Sequence, residues 1–563
     1  MKFSQIPYER PDVEVILRQY DQITARCRAA KSAGEVLACF FEHEKLFCHA
    51  GTMNAYIYIR HSIDVNDPFF EQEQDFFCGA NPLLNEKVQA FYRAVYDAPF
   101  RQELTEALGE VFFQNIELSL KAFTAENIPL MQEESRLCIR YSKLLASAAI
   151  DFDGETLNLE QLRGREESLD REVRRRAYGA EAAFFKQHEA EFDEIFDRLI
   201  ALRTRMAKNL GFDNFIALGY CRMSRNCYEA EMVARYREQV VKDLLPAVCR
   251  VKARQAERIG LDRLMWYDDS CYFPGGNPRP CCNGDALLER GRQMYRAMGK
   301  TTGAFMDYML ENELFDALAR PGKSNGGYCD YLPEYQMPFI FANFNGTADD
   351  VDTLTHEAGH ALASYLARDM AVVEQMTPSL ETCEVHSMSM EFFSYPYHEL
   401  FYGADATRSR RMHMENALSF LPYGCIVDEF QHIIYGQPEL TSAGRKAAWM
   451  ELEKKYRPYL TFEGEFFGEG MWFMRQSHIY KNPFYYIDYC LAQTTALQFW
   501  RWAQHDRQEA FAAYMDLVKK AGTRTFTGLV AEAGLRSPFE EGCLTEVTKA
   551  VERHLLADAA EIH

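Results

Sequence analysis

The sequence predicts a mostly α-helical protein with a small β-sheet next to one of its helices. Three observations point there. Apolar residues recur at helical steps with charges between them over residues 13–149, again over 182–258, and once more from Ala496 onward. Alternation suited to strands is confined to 150–159 and 337–344. The strongest breaks are two proline- and glycine-rich stretches, 272–280 and 322–329, which read as loops.

At 563 residues the chain can bury a large core, and length alone suggests about four domains, although a long helical chain also suits one body of two lobes. The expected division is an N-terminal helical lobe over 1–190, with a hairpin near 150–159, and a second helical lobe over 191–563 holding the candidate site. Lys plus Arg number 62 against 83 Asp plus Glu, a formal charge of −21 that argues against a nucleic-acid partner. Sixteen cysteines form no Cys-x-x-Cys pair, and Cys281 and Cys282 are merely adjacent, so reduced core thiols are expected. No signal-like apolar segment opens the sequence and no stretch reaches membrane-spanning length free of charge. The expectation is a cytoplasmic protein with no membrane partner.

Taken in order, residues 13–149 read as long antiparallel helices, with Val15, Leu17, Leu37, Phe40, Phe41 and Phe47 at helical steps. Asp153-Gly154 between apolar alternations predicts a hairpin. Helix resumes at Leu162, and the charged run containing Asp170, Arg171, Glu172 and Arg174 reads as a solvated, salt-bridged helix start. The helical period over 182–258 is broken by Gly211 and by Ser224-Arg225-Asn226. The 272–280 loop either bridges lobes or caps a cleft. Residues 337–344 predict a strand that runs through Asn345-Gly346-Thr347 straight into a helix. An exposed edge of that strand could pair with an extended peptide, which makes Phe341 and Asn343, with Tyr328 in the preceding turn, candidate substrate contacts.

The helix that follows carries Thr355-His356-Glu357-Ala358-Gly359-His360. Residues four apart on an α-helix leave the same face one turn apart, so His356 and His360 form a two-jawed metal clamp. Glu357 is set beside the metal rather than on it, where a bound water would sit. The pattern therefore supplies two zinc ligands and a general base. A catalytic zinc site needs a third protein ligand. Past a break near Arg368, Thr377-Pro378 reads as a helix start, and on that next helix Glu384, Met388 and Glu391 share a face, with Glu381 one step before. Acidic groups on an inward face are costly unless they bind something positive.

Residues 476–493 hold a second chemical cluster. Pro483 is suited to opening a helix, after which Tyr485 and Tyr489 fall one turn apart, with Tyr486 three before Tyr489. Their hydroxyls could donate to a developing oxyanion. On spacing alone, such an aromatic cluster is more often core.

The run 338–347, then Asp349-Asp350-Val351 and Thr353-Leu354, then His356-Glu357-Ala358-Gly359-His360, resembles the oligoendopeptidase F branch of the thimet oligopeptidase family of zinc peptidases, the Pz-peptidases included. The likeness is strongest around 322–400 and 475–500. It implies a helical two-lobed metallopeptidase with a deep central channel that admits oligopeptides and excludes folded proteins. It implies zinc bound by His356, His360 and Glu384, which lies 24 residues past His360, with Glu391 seven further on. It also assigns substrate contact and oxyanion stabilisation to His478 and Tyr489. Tyr485 and Tyr486 are further substrate contacts whose alignment depends on a one-residue gap, and Ile487 stands where many members carry another Tyr. Which hydroxyl meets the oxyanion is left open. The expected activity is metal-dependent hydrolysis of internal bonds in short peptides. The alternatives are a helical zinc carboxypeptidase and a peptide-binding protein with structural zinc.

Overall fold

The computed structural model describes residues 1–464 and 466–557. The end of the stretch read as helical from Ala496 onward, residues 558–563, lies outside them. Among the described residues, helices dominate and the strands are few and short. No described helix is long and apolar enough to cross a membrane.

The N-terminal region is a stack of helices, Val13–Ala29, Ala33–Ile63, Pro68–Tyr96, Arg101–Leu108, Glu110–Lys121 and Ile128–Ala146. Their starts follow the chemistry of caps. Asp12 accepts from Val15 N, Ser32 from Glu35 N, and Asp67 from Phe69 N and Phe70 N with Pro68 at the first helical position. The buried stripe of the first helix is Ile16, Tyr20, Ile23 and Cys27, at steps of four, three and four. Phe40 is buried, but Val15, Phe41 and Phe47 are 37%, 43% and 39% exposed, so these three members of the expected apolar pattern lie on outer faces.

Among the described residues two sizeable cores result. The larger runs through both halves of the chain, from Phe3 and Met53 to Trp500 and Leu555. The second joins the first five helices to one distant residue, Val372, which sits in the connection between the two candidate metal helices. That connection is clamped further: Glu44 accepts from Val373 N at 2.8 Å, and Tyr92 OH donates to Glu374 at 2.8 Å. Burial pushes the Glu44 carboxyl up to about 7 from 4.5, with the Val373 bond opposing and the Glu374 charge adding. A folded-state pKa above the unfolded one means the folded chain keeps a proton that the unfolded chain has lost, so this group's contribution falls as pH rises from 4.5 to about 7. Glu44→Gln keeps an acceptor without the charge. Its melting temperature is expected to match wild type near pH 4.5 and to exceed it at about pH 8, a gain of about 1–3 kcal/mol, checked by calorimetry at both pH values.

Asp153 and Gly154, both at positive φ, form the tight turn between β1 (Ile150–Phe152) and β2 (Glu155–Leu157). The charged run after it starts a helix as expected, capped by Asp170 with Asp170, Arg171 and Glu172 exposed and Glu172 paired with Arg175, but its last member is not solvated. Arg174 is buried, and it and Arg171 both grip the buried carboxylate of Asp268, at 3.0 and 2.7 Å. A short parallel pair, β3 (Leu264–Met265) with a strand at Leu460–Thr461, lies apart from the site. The sheet that positions the site has three strands: β4 (Phe315–Leu318), β5 (Tyr328–Leu332) and β6 (Met337–Phe344), in the order β4-β6-β5. β6 is therefore the centre strand and not an exposed edge, antiparallel to β5 along Met337–Phe341 and parallel to β4 from Ile340 to Phe344. This corrects the expected exposed edge along 338–345. Phe341 is fully buried and stacks on Tyr328, centroids 4.9 Å apart. Asn343 donates to the carbonyls of Ser324 and Gly326 at 2.8 and 2.7 Å, so both side chains are engaged in shaping the loop before β5.

Candidate active site

β6 ends in a turn tied down by Asp350, whose carboxylate accepts from Asn345 N and Gly346 N at 2.8 Å each. From there the helix Asp349–Ala367 departs, with Asp349, Asp350 and Asp352 in its first turn, where the helix dipole favours negative charge. The next long helix, Leu380–Phe393, starts after Ser379, not at Thr377-Pro378 as expected. The two helices are pressed together at Gly359: a Cβ there would lie 2.6 Å from Ser387 Cα and 2.7 Å from His386 O. Only glycine permits that approach, and the approach brings Glu384 to the two histidines.

Nε2 of His356 and of His360 lie 3.2 and 3.4 Å from the same oxygen of Glu384, Oε2, and the ligand atoms of all three residues fall within 4.8 Å of one another. Burial works against the ionised Glu384, yet the two imidazoles hold its carboxyl well below the usual carboxylate range. Ser387 Oγ donates to Oε2 at 3.0 Å, and Tyr485 OH donates to Oε1. On the other side of His356, Nδ1 bonds Glu391 Oε1 at 2.7 Å. Glu391 Oε2 meets His413 Nε2 at 2.7 Å, whose Nδ1 meets Tyr395 OH at 2.7 Å. A carboxylate on one ring nitrogen fixes the tautomer and leaves the other lone pair for a metal. Glu357 follows on the same helix, its Oε2 buried with no partner and its pKa raised, chiefly by burial.

Facing this pair is the segment around the short helix Ser477–Lys481. Pro483 does not open the following helix, which runs Tyr486–Ala503. Between them Phe484 takes φ +70°, a conformation costing a bulky residue about 1–3 kcal/mol. Buried Arg225 braces it, donating to Phe484 O and, at 2.9 Å, to Asp488, which also accepts from Tyr228 OH at 3.1 Å. This turn delivers Tyr485 and Tyr489, ring centroids 5.1 Å apart, beside His478. Burial lowers the His478 pKa to about 4, leaving a neutral ring. Its Nδ1 accepts from Gln476 Nε2 at 2.8 Å, and Gln476 Oε1 in turn accepts from Tyr423 OH at 2.7 Å. That network assigns the ring proton to Nε2, which lies 3.4 Å from Tyr489 OH.

The structure thus brings together His356, His360, Glu384 and Glu357, and sets His478, Tyr485, Tyr486 and Tyr489 in one aromatic cluster joined to them by the Tyr485 to Glu384 bond. Tyr328, at the start of β5, pairs with and stacks on Phe341 of β6. Sequence reasoning missed Ser387, Tyr395, His413, Gln476, Tyr423 and Arg225. Gln476, two residues before His478, carried the only local signal.

Residues 300–548 match the family described as Peptidase family M3, and residues 3–123 match the Peptidase M3 N-terminal domain. The chain belongs to peptidase family M3 and is a peptidase with the mostly helical fold of that group. Among solved structures it is similar to PZ peptidase A with inhibitor 2, at 44% identity over 99% of both chains with a TM-score of 0.98. A candidate oligoendopeptidase F from Bacillus anthracis strain Ames is 41% identical over 100% of this chain and 99% of that one, with a TM-score of 0.93. Oligopeptidase PepF of Bacillus subtilis strain 168 is 22% identical over 92% of this chain and 80% of its own length.

Proposed function

We propose that the protein is a zinc-dependent endopeptidase that cleaves short oligopeptides in the cytoplasm. One observation carries the reading: three ligand atoms from His356, His360 and Glu384 converge within 4.8 Å, with the unpartnered carboxylate of Glu357 on the same helix. Two imidazoles and a carboxylate are a donor set that catalytic zinc takes, and the Glu391 bond to His356 Nδ1 is the outer support such ligands need. A zinc ion held there supplies Lewis acidity and lowers the pKa of a water to about 7.

The chain's own residues carry the rest of the reaction. Glu357 takes the proton of the attacking water on its free oxygen and passes it to the leaving amine. Burial raises its pKa, which suits a group that must accept a proton and give it up. His478, protonated on Nε2, and Tyr489 donate to the oxygen on which negative charge develops. Tyr485 instead steadies Glu384 through its hydroxyl, which favours Tyr489 as the oxyanion donor. Tyr489→Phe is expected to lower kcat by about 10²–10³-fold with bound metal unchanged, measured by peptide hydrolysis beside metal analysis; full activity in that variant would contradict the assignment.

Free cysteines throughout accord with a reducing compartment. The decisive test of the reaction is mass spectrometry of a mixed peptide library digested with and without chelator, including end-blocked members. Internal cuts in blocked peptides, lost on chelation, support the reading; release of single C-terminal residues alone would point to a carboxypeptidase.

A further inference from the structure

A cavity of about 590 Å³ lies between the N-terminal helices and the turn that follows His478. Such a volume falls within the range of sites for small ligands and leaves room for more than one peptide residue. Its walls include Tyr58, Gln74, Glu134, Arg222, Lys481 and Asn482. Two contacts tie it to the site described above. Lys481 stands three residues after His478 on the same short helix, a spacing that puts Cβ atoms about 5–6 Å apart. Across from it, the Tyr58 ring is 5.1 Å from that of Tyr328, and the neighbouring Gly327 is so close to the general base that a Cβ there would lie 3.4 Å from Glu357 Oε1.

The charge of this cavity departs from that of the chain. Among the described residues Glu134 is the one acid in its lining, and it is fully used: Arg203 and Arg222 bind it at 2.7 and 2.9 Å and, against burial, hold its carboxyl down to about 2. Two arginines on one carboxylate leave a net positive charge. Lys481 is exposed to this space, and among the described residues it has no ion pair and no hydrogen-bond acceptor for its ammonium. Desolvation by the surrounding walls depresses its pKa, and the Cys138 thiol in the same lining opposes that. Gln74 Oε1, in the same lining, is buried with no partner, an acceptor available to a peptide N–H. A cationic recess with an unpaired ammonium, in a protein of net charge −21, is a feature that the hydrolytic step does not use.

We propose that this cavity seats one end of the peptide substrate and binds a carboxylate there through the Lys481 ammonium. The carboxylate is either the peptide's own C-terminus or an Asp or Glu side chain close to it. The inference rests on the endopeptidase reading above, and adds a preference for negatively charged peptide ends. Because the cavity holds more than one residue, an anchored end leaves the scissile bond internal.

The test uses the full-length protein and matched short fluorogenic peptides: a free acid, its C-terminal amide, and a pair differing by Glu or Gln near the end. Wild type is expected to favour the charged member by about tenfold or more in kcat/KM, mainly through KM. Lys481→Gln is expected to bring that ratio close to one, and Lys481→Arg to keep it. A ratio that follows amidation assigns the terminal carboxylate; one that follows Glu against Gln assigns a side chain. A ratio near one in wild type, or an undiminished ratio in Lys481→Gln, overturns the proposal. Calorimetric binding of the same peptides to Glu357→Gln repeats the comparison without turnover. If amides resist cleavage and only the last residue of free acids is released, the endopeptidase reading fails while the carboxylate site stands.

Discussion

Glu357→Gln is expected to lower kcat by about 10³–10⁴-fold, the upper part of the range for a positioned general base, while leaving bound metal in place. The expectation follows from position and environment together. Glu357 lies on the helix that carries both histidines, yet its Oε2 is buried without a partner and the residue is only 7% exposed. A buried carboxylate that no hydrogen bond satisfies is costly to the fold, so it persists for a reason other than stability. The amide is close to isosteric and removes that charge. The variant is therefore expected to melt at the wild-type temperature or above it, a trade of stability against activity. Peptide hydrolysis, metal analysis and scanning calorimetry on one preparation check all three parts. Normal turnover in this variant would remove Glu357 from the mechanism.

Glu384→Ala is expected to abolish activity by a different route, through loss of the metal. Removing an outer partner of a metal ligand typically costs about 10–100-fold in affinity, and a ligand itself should cost more. Glu384 is also where two supports converge, Ser387 Oγ on Oε2 and Tyr485 OH on Oε1. Its loss leaves both hydroxyls without that acceptor and leaves His356 and His360 without the shared carboxylate oxygen that now draws them together. Metal content after dialysis against dilute chelator is expected to fall well below that of wild type, with activity partly restored by excess zinc. Undiminished metal content would show that Glu384 is not a ligand.

What could be read from the sequence followed the reach of each interaction. His356 and His360 were legible because one helix sets their separation, and the Asp153-Gly154 hairpin because two adjacent residues carry its turn. β6 was legible in extent, 337–344, since an apolar run ends at Asn345-Gly346. Its place at the centre of the sheet was not, because its neighbours are short: β4 follows a helix end and β5 begins inside the glycine-rich turn. Pro483 misled for a related reason. The chain reverses at Phe484 in a strained conformation that Arg225, some 260 residues earlier, holds in place, and no local propensity reports such a brace. The outer supports of the candidate site were equally hidden. His413 meets Glu391 from another helix and Tyr485 meets Glu384 across 101 residues, so tertiary packing alone creates those contacts.

Anomalous X-ray diffraction recorded on both sides of the zinc absorption edge tests the central claim most directly. The account expects a single strong peak in each chain, about 2.0–2.2 Å from His356 Nε2, His360 Nε2 and an oxygen of Glu384, with Glu357 outside bonding distance. A peak with Glu384 turned away and another protein atom in its place, or a fully occupied fourth protein ligand, would contradict it.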